Sequence, residues 1–230
     1  MNQTIQEHSM SLRHFFGPLN ACPRYPWARH LLMLAPMLLV LLALGTQWSW
    51  WGEPVRAIHE AAAAAHPRVT VFMRLLSAWG SLPLYFVYLC LLVHGLRRPR
   101  PDGLPRPDVM LVRRCIVFSL LLTLAATQAL KYGLGMPRPL AAWPPAPFSF
   151  DFLYNSFPSG HTTEITASAV PLGLRFRRIW VYATLALLIV LVGYSRIWLS
   201  RHHPVDLVGG LIMGSLIARL IMYCPAAPRA

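Results

Sequence analysis

Long apolar segments separated by short polar ones dominate the pattern along this chain. Runs approaching twenty residues match the roughly 30 Å of hydrocarbon that a helix must cross in a bilayer. The pattern predicts six membrane-spanning helices, at about residues 31–45, 75–96, 115–130, 159–174, 179–194 and 205–224. The predicted fold class is therefore all-α, a polytopic membrane protein built as a six-transmembrane helical bundle.

The connecting segments differ in composition. Residues 53–67 are polar at first and then run through five alanines to His66 and Pro67, which favours a short helix outside the bilayer. Residues 97–114 are rich in arginine and proline, and because proline interrupts a regular helix we expect a loop there. Residues 137–158, rich in proline and aromatic residues, are predicted to form a second loop.

The chain is predicted to form one domain with two tails. Residues 1–27 are polar and lack the apolar core and small-residue cleavage site of a signal peptide, so we expect a retained cytoplasmic N-terminal tail. Residues 28–224 are assigned to the six-span domain. Residues 225–230 are assigned to a short cytoplasmic C-terminal tail.

Composition and charge agree with a membrane protein. Of the 230 residues, 56% are hydrophobic and 13% are charged, which departs from the balance of soluble proteins. The net charge of +13 lies in short connections between apolar runs, so we expect membrane lipids as partners and no nucleic acid. Most basic residues fall on the side of the termini, which predicts cytoplasmic termini in a bacterial inner membrane and a periplasmic or outer active face.

The cysteines indicate no cofactor site. Four of them are scattered along the chain without C-x-x-C spacing, so neither a disulfide framework nor a zinc site is indicated. We expect no metal and no cofactor, and the sequence does not indicate an oligomeric state.

Three polar clusters fall on the predicted outer side of the membrane. They are Lys131-Tyr-Gly-Leu-Gly-Met-Pro-Arg138-Pro139, Pro158-Ser159-Gly160-His161 and Ser195-Arg196-Ile-Trp-Leu-Ser-Arg-His202-His-Pro-Val-Asp206. Lys131, Arg138 and Arg196 supply three positive charges. Arginine forms forked hydrogen bonds with phosphate oxygens. Ser159 and Gly160 open a predicted helix, whose unpaired N–H groups also bind anions. A phosphate group is therefore the expected ligand.

Two histidines in these clusters have different surroundings. His202 precedes Asp206 by four residues, one helical turn, so the carboxylate can hold one ring nitrogen while the other attacks phosphorus. His161 lacks such a partner and can donate a proton to the departing oxygen. Together they indicate in-line phosphoryl transfer through a phosphohistidine.

The spacing of these clusters resembles the three-part signature of the type 2 phosphatidic acid phosphatase superfamily, K-x6-RP, PSGH and SR-x5-H-x3-D. Every fixed position is present between residues 131 and 206. The resemblance implies a helical bundle with its active site near the outer interface. It also implies that His202 is the nucleophile, His161 the general acid and Asp206 the partner of the nucleophile. The phosphate-binding set that it implies is Lys131, Arg138, Ser159, Gly160 and Arg196.

Glu164 lies outside the signature, three residues after His161 on the same predicted helix. One interpretation is an ordinary hydrogen-bonded acid at the interface. The other is a residue that tunes headgroup choice or the proton affinity of His161. His203 has neither spacing of the signature and is assigned no role.

The expected activity is metal-independent hydrolysis of a lipid phosphomonoester or pyrophosphate. Phosphatidate, phosphatidylglycerophosphate, an undecaprenyl carrier and a lipid A phosphate all remain candidate substrates. A lipid phosphotransferase that uses the same phosphohistidine is an alternative, and an anion or lipid transporter is an alternative of another class. A haloperoxidase is disfavoured because relatives of that kind are soluble.

Overall fold

The computed structural model describes residues 25–47, 50, 53–98, 101 and 105–222. All regular structure in these residues is helical, which confirms the all-α class. The elements are α1 (Trp27–Gln47), α2 (Glu53–Ala65), α3 (Pro67–Trp79), α4 (Leu82–Arg97), α5 (Pro107–Arg114), a π-helical segment (Cys115–Leu122), α6 (Thr123–Leu134), a 3-10 turn (Phe152–Tyr154), α7 (Gly160–Phe176), α8 (Ile179–Trp198) and α9 (Pro204–Ile221).

Five helical segments in the described ranges are long and apolar enough to cross a membrane. They are Trp27–Thr46, Pro67–Arg97, Pro107–Leu134, Ile179–Trp198 and Pro204–Ile221. These segments correspond to the first, second, third, fifth and sixth predicted spans. The predicted fourth span is α7, which has 17 residues and a polar first turn. Length and composition therefore support five spans, and the count of six is not confirmed.

The predicted loop at residues 97–114 is wrong in its second half, because α5 begins at Pro107 and runs on through the π-helical segment into α6. Proline is tolerated in the first turn of a helix, where its missing N–H has no intrahelical partner to lose. Asp108 in the same turn complements the helix dipole, and its carboxylate lies 2.6 Å from Nε of Arg175 on α7. Proline breaks a helix at interior positions, and Pro107 stands at the first position of α5.

The helical segment that corresponds to the second predicted span, Pro67–Arg97, begins eight residues before the predicted start at residue 75. Residues 53–65 form the short helix that was predicted, and Pro67 then opens α3 directly. Gly80 and Ser81 make a turn before α4, whose first turn contains Pro83. The apolar segment Pro67–Arg97 is thus two helices in series.

Helix α7 is the most buried helix of the bundle and packs most extensively against α9. Two glycines of α9 make this close packing possible. A Cβ atom at Gly210 would lie 2.8 Å from the carbonyl oxygen of Ser159, and one at Gly214 would lie 2.6 Å from that of Thr163. Because both positions lack a side chain, the N-terminal ends of α7 and α9 meet at one end of the bundle.

The predicted boundary after residue 27 lies within the described residues, and the predicted boundary after residue 224 lies outside them. Trp27, the last residue of the predicted N-terminal tail, is the first residue of α1. Residues 1–24 and the predicted C-terminal tail, residues 225–230, lie outside the described part of the chain.

Candidate active site

The loop before α7 anchors one side of the site. The buried Ser159 caps α7, and its hydroxyl oxygen accepts hydrogen bonds from the Thr162 hydroxyl at 3.0 Å and from the Thr162 N–H at 3.5 Å. The N–H of Ser159 donates to the carbonyl oxygen of Asp206 at 2.9 Å. The first turns of α7 and α9 are therefore tied together at the position predicted to bind phosphate.

Asp206 holds His202 in one orientation. Its Oδ2 atom lies 3.3 Å from Nδ1 of His202 and accepts a hydrogen bond from the N–H of His203 at 2.8 Å. The hydroxyl of Ser156 donates to the same oxygen at 2.5 Å. Asp206 is fully buried and His202 is almost so. With Nδ1 fixed in this way, Nε2 of the imidazole is the nitrogen that remains available for chemistry.

Arg138 is buried at the centre of the loops on this side of the bundle. Its guanidinium donates to the carbonyl oxygens of Phe152 at 2.8 Å and Arg201 at 3.0 Å, and to Oδ1 of Asn155 at 3.0 Å. It also lies 3.8 Å from the centroid of the Phe152 ring. Burial lowers the pKa of Arg138 to about 10, so the side chain stays charged at neutral pH. One guanidinium thus joins the loop after α6 to the turn that carries His202.

The remaining cations approach from two other helices. Lys131 lies in the last turn of α6, and its Nζ is 4.0 Å from the position that a Cβ of Gly160 would occupy. Arg196 lies in the last turn of α8 and donates a hydrogen bond to the buried hydroxyl of Ser77 on α3.

The three cations lie close enough to His202 to change its pKa. Burial lowers the pKa of His202 well below its usual value, and the positive charges of Arg138, Arg196 and Lys131 lower it further. The eight site residues that the resemblance implies are therefore brought together at one end of the bundle, with two histidines among three cations.

Two cavities meet at His161. The first, here called the lateral cavity, has a volume of about 490 Å³, lies between α4, α5–α6 and α7, and is mostly apolar. The second, here called the arginine cavity, has a volume of about 430 Å³ and is lined by Arg74, Arg196 and Arg201. His161 is the residue common to both.

Glu164 lines the lateral cavity, one turn after His161. The hydroxyl of Tyr85 on α4 donates a hydrogen bond to Oε1 of Glu164. This contact agrees with a hydrogen-bonded acid, and the tuning role stays a prediction.

Sequence reasoning missed the residues that hold the signature in place. Ser156 contacts the carboxylate of Asp206, Asn155 and Phe152 contact Arg138, and Ser77 contacts Arg196. Ser156 stands three residues before Ser159, and this proximity is the only signal that the sequence offers for it. His203 was assigned no role, and its backbone N–H supports Asp206.

The described residues contain no group of three or more His, Cys, Asp or Glu side chains that could hold a metal ion. What the arrangement can hold is an anion, because three fixed cations and the N-terminal end of a helix face a buried imidazole.

Fold and site together define an integral membrane protein with three cations and two histidines clustered at one end of its helices. The chain belongs to the PAP2 superfamily, whose sequence profile matches residues 114–229 and so includes all three clusters. This result confirms the resemblance read from the motifs.

Curated relatives are similar over part of the chain. Undecaprenyl-diphosphatase BcrC of Bacillus subtilis is 41% identical over 66 residues, which are 28% of this chain and 33% of that protein. An undecaprenyl-diphosphatase of Sulfolobus acidocaldarius is 30% identical over 109 residues, 46% of this chain and 51% of that protein. A lipid A 1-phosphatase of Rhizobium johnstonii is 36% identical over 110 residues, 46% of this chain and 43% of that protein. The matched region thus spans between a third and about half of each relative's length. No solved structure is significantly similar to the chain.

Proposed function

We propose that this protein is a lipid phosphatase that hydrolyses a phosphomonoester or diphosphate of a membrane lipid through a phosphohistidine. The observation that carries the proposal is the buried His202–Asp206 pair beside three fixed cations. The names of the relatives support a lipid phosphate as substrate, since they act on undecaprenyl diphosphate or on lipid A.

The cations and the start of α7 bind the phosphoryl group that is transferred. Lys131, Arg138 and Arg196 neutralise its equatorial oxygens. The unpaired backbone N–H groups at the start of α7, beginning with that of Gly160, donate hydrogen bonds to the same oxygens. The other contacts of Arg138 fix its guanidinium before substrate arrives. The charge that develops in the transition state therefore meets groups that are already in place.

His202 is the nucleophile. The carboxylate of Asp206 accepts a hydrogen bond from Nδ1–H, so the lone pair of Nε2 points away from Asp206 and attacks phosphorus. The bond from phosphorus to the leaving oxygen breaks, and His161 donates a proton to that oxygen. Water then attacks the phosphohistidine, with His161 accepting its proton, and inorganic phosphate leaves.

The membrane arrangement follows from the same residues. The lateral cavity opens beside His161 between apolar helices, and we assign the hydrocarbon tail to it. We assign α7 as a sixth span because it is packed inside the other helices, with the N-terminal ends of α7 and α9 facing the periplasm or the outside. Cytoplasmic termini follow from this orientation and from the distribution of basic residues.

The test is phosphate release by the purified protein from a panel of lipid phosphates in detergent. We expect release by the wild type and loss of release in His202→Ala. His66→Ala is the matched control, because His66 is an exposed histidine that lines neither cavity. Activity should survive a chelator and be inhibited by vanadate, which imitates five-coordinate phosphorus.

Three results would contradict the proposal, two from this assay and one from flux measured in vesicles. Phosphate release by His202→Ala at the rate of the wild type would exclude the nucleophile. Transfer of the phosphoryl group to a second lipid, without free phosphate, would assign a phosphotransferase. Lipid or anion flux that persists in His202→Ala vesicles, with no hydrolysis by the wild type, would assign a transporter.

A further inference from the structure

The arginine cavity contains more positive charge than one phosphoryl group needs. Arg196 belongs to the signature, whereas Arg74 and Arg201 do not, and both of these are exposed. No carboxylate lines this cavity among the described residues. Arg201 lies 5.9 Å from the Phe152 ring, and no hydrogen bond or ion pair in the described part of the chain engages the side chain of Arg74.

The positive charge of the arginine cavity and the apolar lateral cavity both adjoin His161. His161 donates its proton to the leaving oxygen, so the first atoms of the leaving group lie beside His161. On one side of His161 the lateral cavity is mostly apolar and suits hydrocarbon. On the other side the arginine cavity suits an anion. A leaving group that fills both sides has a negative charge directly before its hydrocarbon tail.

We propose that the arginine cavity is a binding site for the inner phosphate of a lipid diphosphate, with Arg74 and Arg201 as its ligands. This inference rests on the proposed function and narrows its substrate class to diphosphates. In a lipid monophosphate the hydrocarbon or sugar follows the ester oxygen at once, and Arg74 then has no anion to bind. In a diphosphate the second phosphate lies one bridging oxygen from the reacting phosphorus.

The reaction on such a substrate is balanced without any further reactant than water. Nε2 of His202 forms a bond to the outer phosphorus, and the bond between that phosphorus and the bridging oxygen breaks. The electron pair stays on the bridging oxygen, which takes the proton of His161 and becomes a terminal oxygen of the lipid monophosphate. Water then cleaves the phosphohistidine to inorganic phosphate, restoring both histidines.

The experiment compares an isoprenyl diphosphate with the isoprenyl monophosphate of the same chain length, by initial rates of phosphate release in detergent. Arg74→Gln removes the charge from the cavity, and Arg74→Lys keeps it. Arg68→Gln is the matched control, because Arg68 is an exposed arginine on the same helix that does not line the cavity. The elution volume and melting temperature of each variant show whether it is folded.

We expect the wild type to prefer the diphosphate and to accumulate the lipid monophosphate. In Arg74→Gln the ratio of kcat/KM for diphosphate to that for monophosphate should fall about tenfold, as expected for loss of a charge-assisted hydrogen bond. Arg74→Lys should retain part of the preference and Arg68→Gln all of it.

Several results would overturn the inference. An unchanged ratio in folded Arg74→Gln would remove Arg74 from the site, and an equal fall in Arg68→Gln would show only a general effect of surface charge. A wild type that hydrolyses monophosphate alone would end the inference and leave the proposed function standing. A wild type that hydrolyses neither lipid would end both.

Discussion

The Oδ2 atom of Asp206 lies 3.3 Å from Nδ1 of His202, and both side chains are shielded from solvent. The same oxygen accepts hydrogen bonds from Ser156 and from the backbone of His203, so the carboxylate cannot rotate without losing three contacts. The imidazole is thus held at Nδ1 by this carboxylate, with the hydroxyl oxygen of Ser156 at 3.4 Å from the same nitrogen.

Asp206→Asn should lower kcat strongly while KM changes little. An amide in this position can present its NH₂ group to Nδ1, which would leave the proton on Nε2 and remove the lone pair that attacks phosphorus. We expect a decrease in kcat of about 10⁴-fold, on the scale seen when the orienting acid of a histidine is replaced by its amide. Steady-state phosphate release measures it.

Ser156→Ala is the graded comparison for that variant, because it removes one of the contacts that hold the carboxylate and keeps the carboxylate itself. Its decrease in kcat should be smaller, about tenfold. A larger loss in Ser156→Ala than in Asp206→Asn would contradict this account of the pair.

Replacing either signature arginine by lysine should still cost activity. Lysine keeps the charge but cannot form the forked contacts of a guanidinium, and Arg138 alone bonds three different residues. For Arg138→Lys and Arg196→Lys we expect kcat/KM to fall about 10²-fold. Arg68→Lys, on the surface of α3, should match the wild type, and melting temperatures separate lost stability from lost chemistry. Full activity in either signature variant would show that charge alone suffices there.

The pH dependence of kcat/KM reports on His202 in the free enzyme. Burial and three neighbouring cations lower the pKa of His202, so its neutral, attacking form persists to a lower pH than that of an ordinary histidine. The acidic limb of the profile should therefore lie below about pH 6.5, the usual histidine value. Removing a cation favours the imidazolium and raises this pKa, so Arg196→Gln should move the acidic limb to higher pH. If the acidic limb of the profile stays in place or moves to lower pH in this variant, Arg196 does not lower the pKa of His202.

Glu164→Gln tests the residue outside the signature. Its carboxylate accepts a hydrogen bond from Tyr85 at the wall of the lateral cavity, one turn from His161. If it tunes headgroup choice or the proton affinity of His161, the variant should change the ranking of lipid substrates or the pH profile. Tyr85→Phe is the control that removes the hydrogen bond and keeps the charge. With both properties unchanged in Glu164→Gln, the residue is an ordinary interfacial acid.

The long apolar runs predicted the helical class, and the resemblance of three motifs to a known signature predicted which residues lie at one end of the bundle. Lys131 and His161 could be placed at helix ends from the apolar runs alone. The start of α5 was missed because proline has opposite effects in the first turn and in the middle of a helix. The number of spans stays a prediction, since α7 is short and polar where it opens the site.

The contacts that organise the site were out of reach of sequence reasoning for a different reason. Ser77 and Arg196 are 119 positions apart, and Ser156 and Asp206 are 50 apart. Which hydroxyl meets which charge depends on how the helices pack, and no periodicity or spacing in one sequence contains that information.

The two glycines between α7 and α9 have a consequence for inherited change in this protein. A methyl group at Gly214 would collide with the backbone of the neighbouring helix and act as a wedge in the seam between the two. The distance between His202 and the N-terminal end of α7 would then increase, although neither of them had been substituted. A related protein with a larger residue at this position would lose its activity in this way, although all three of its motifs were unchanged.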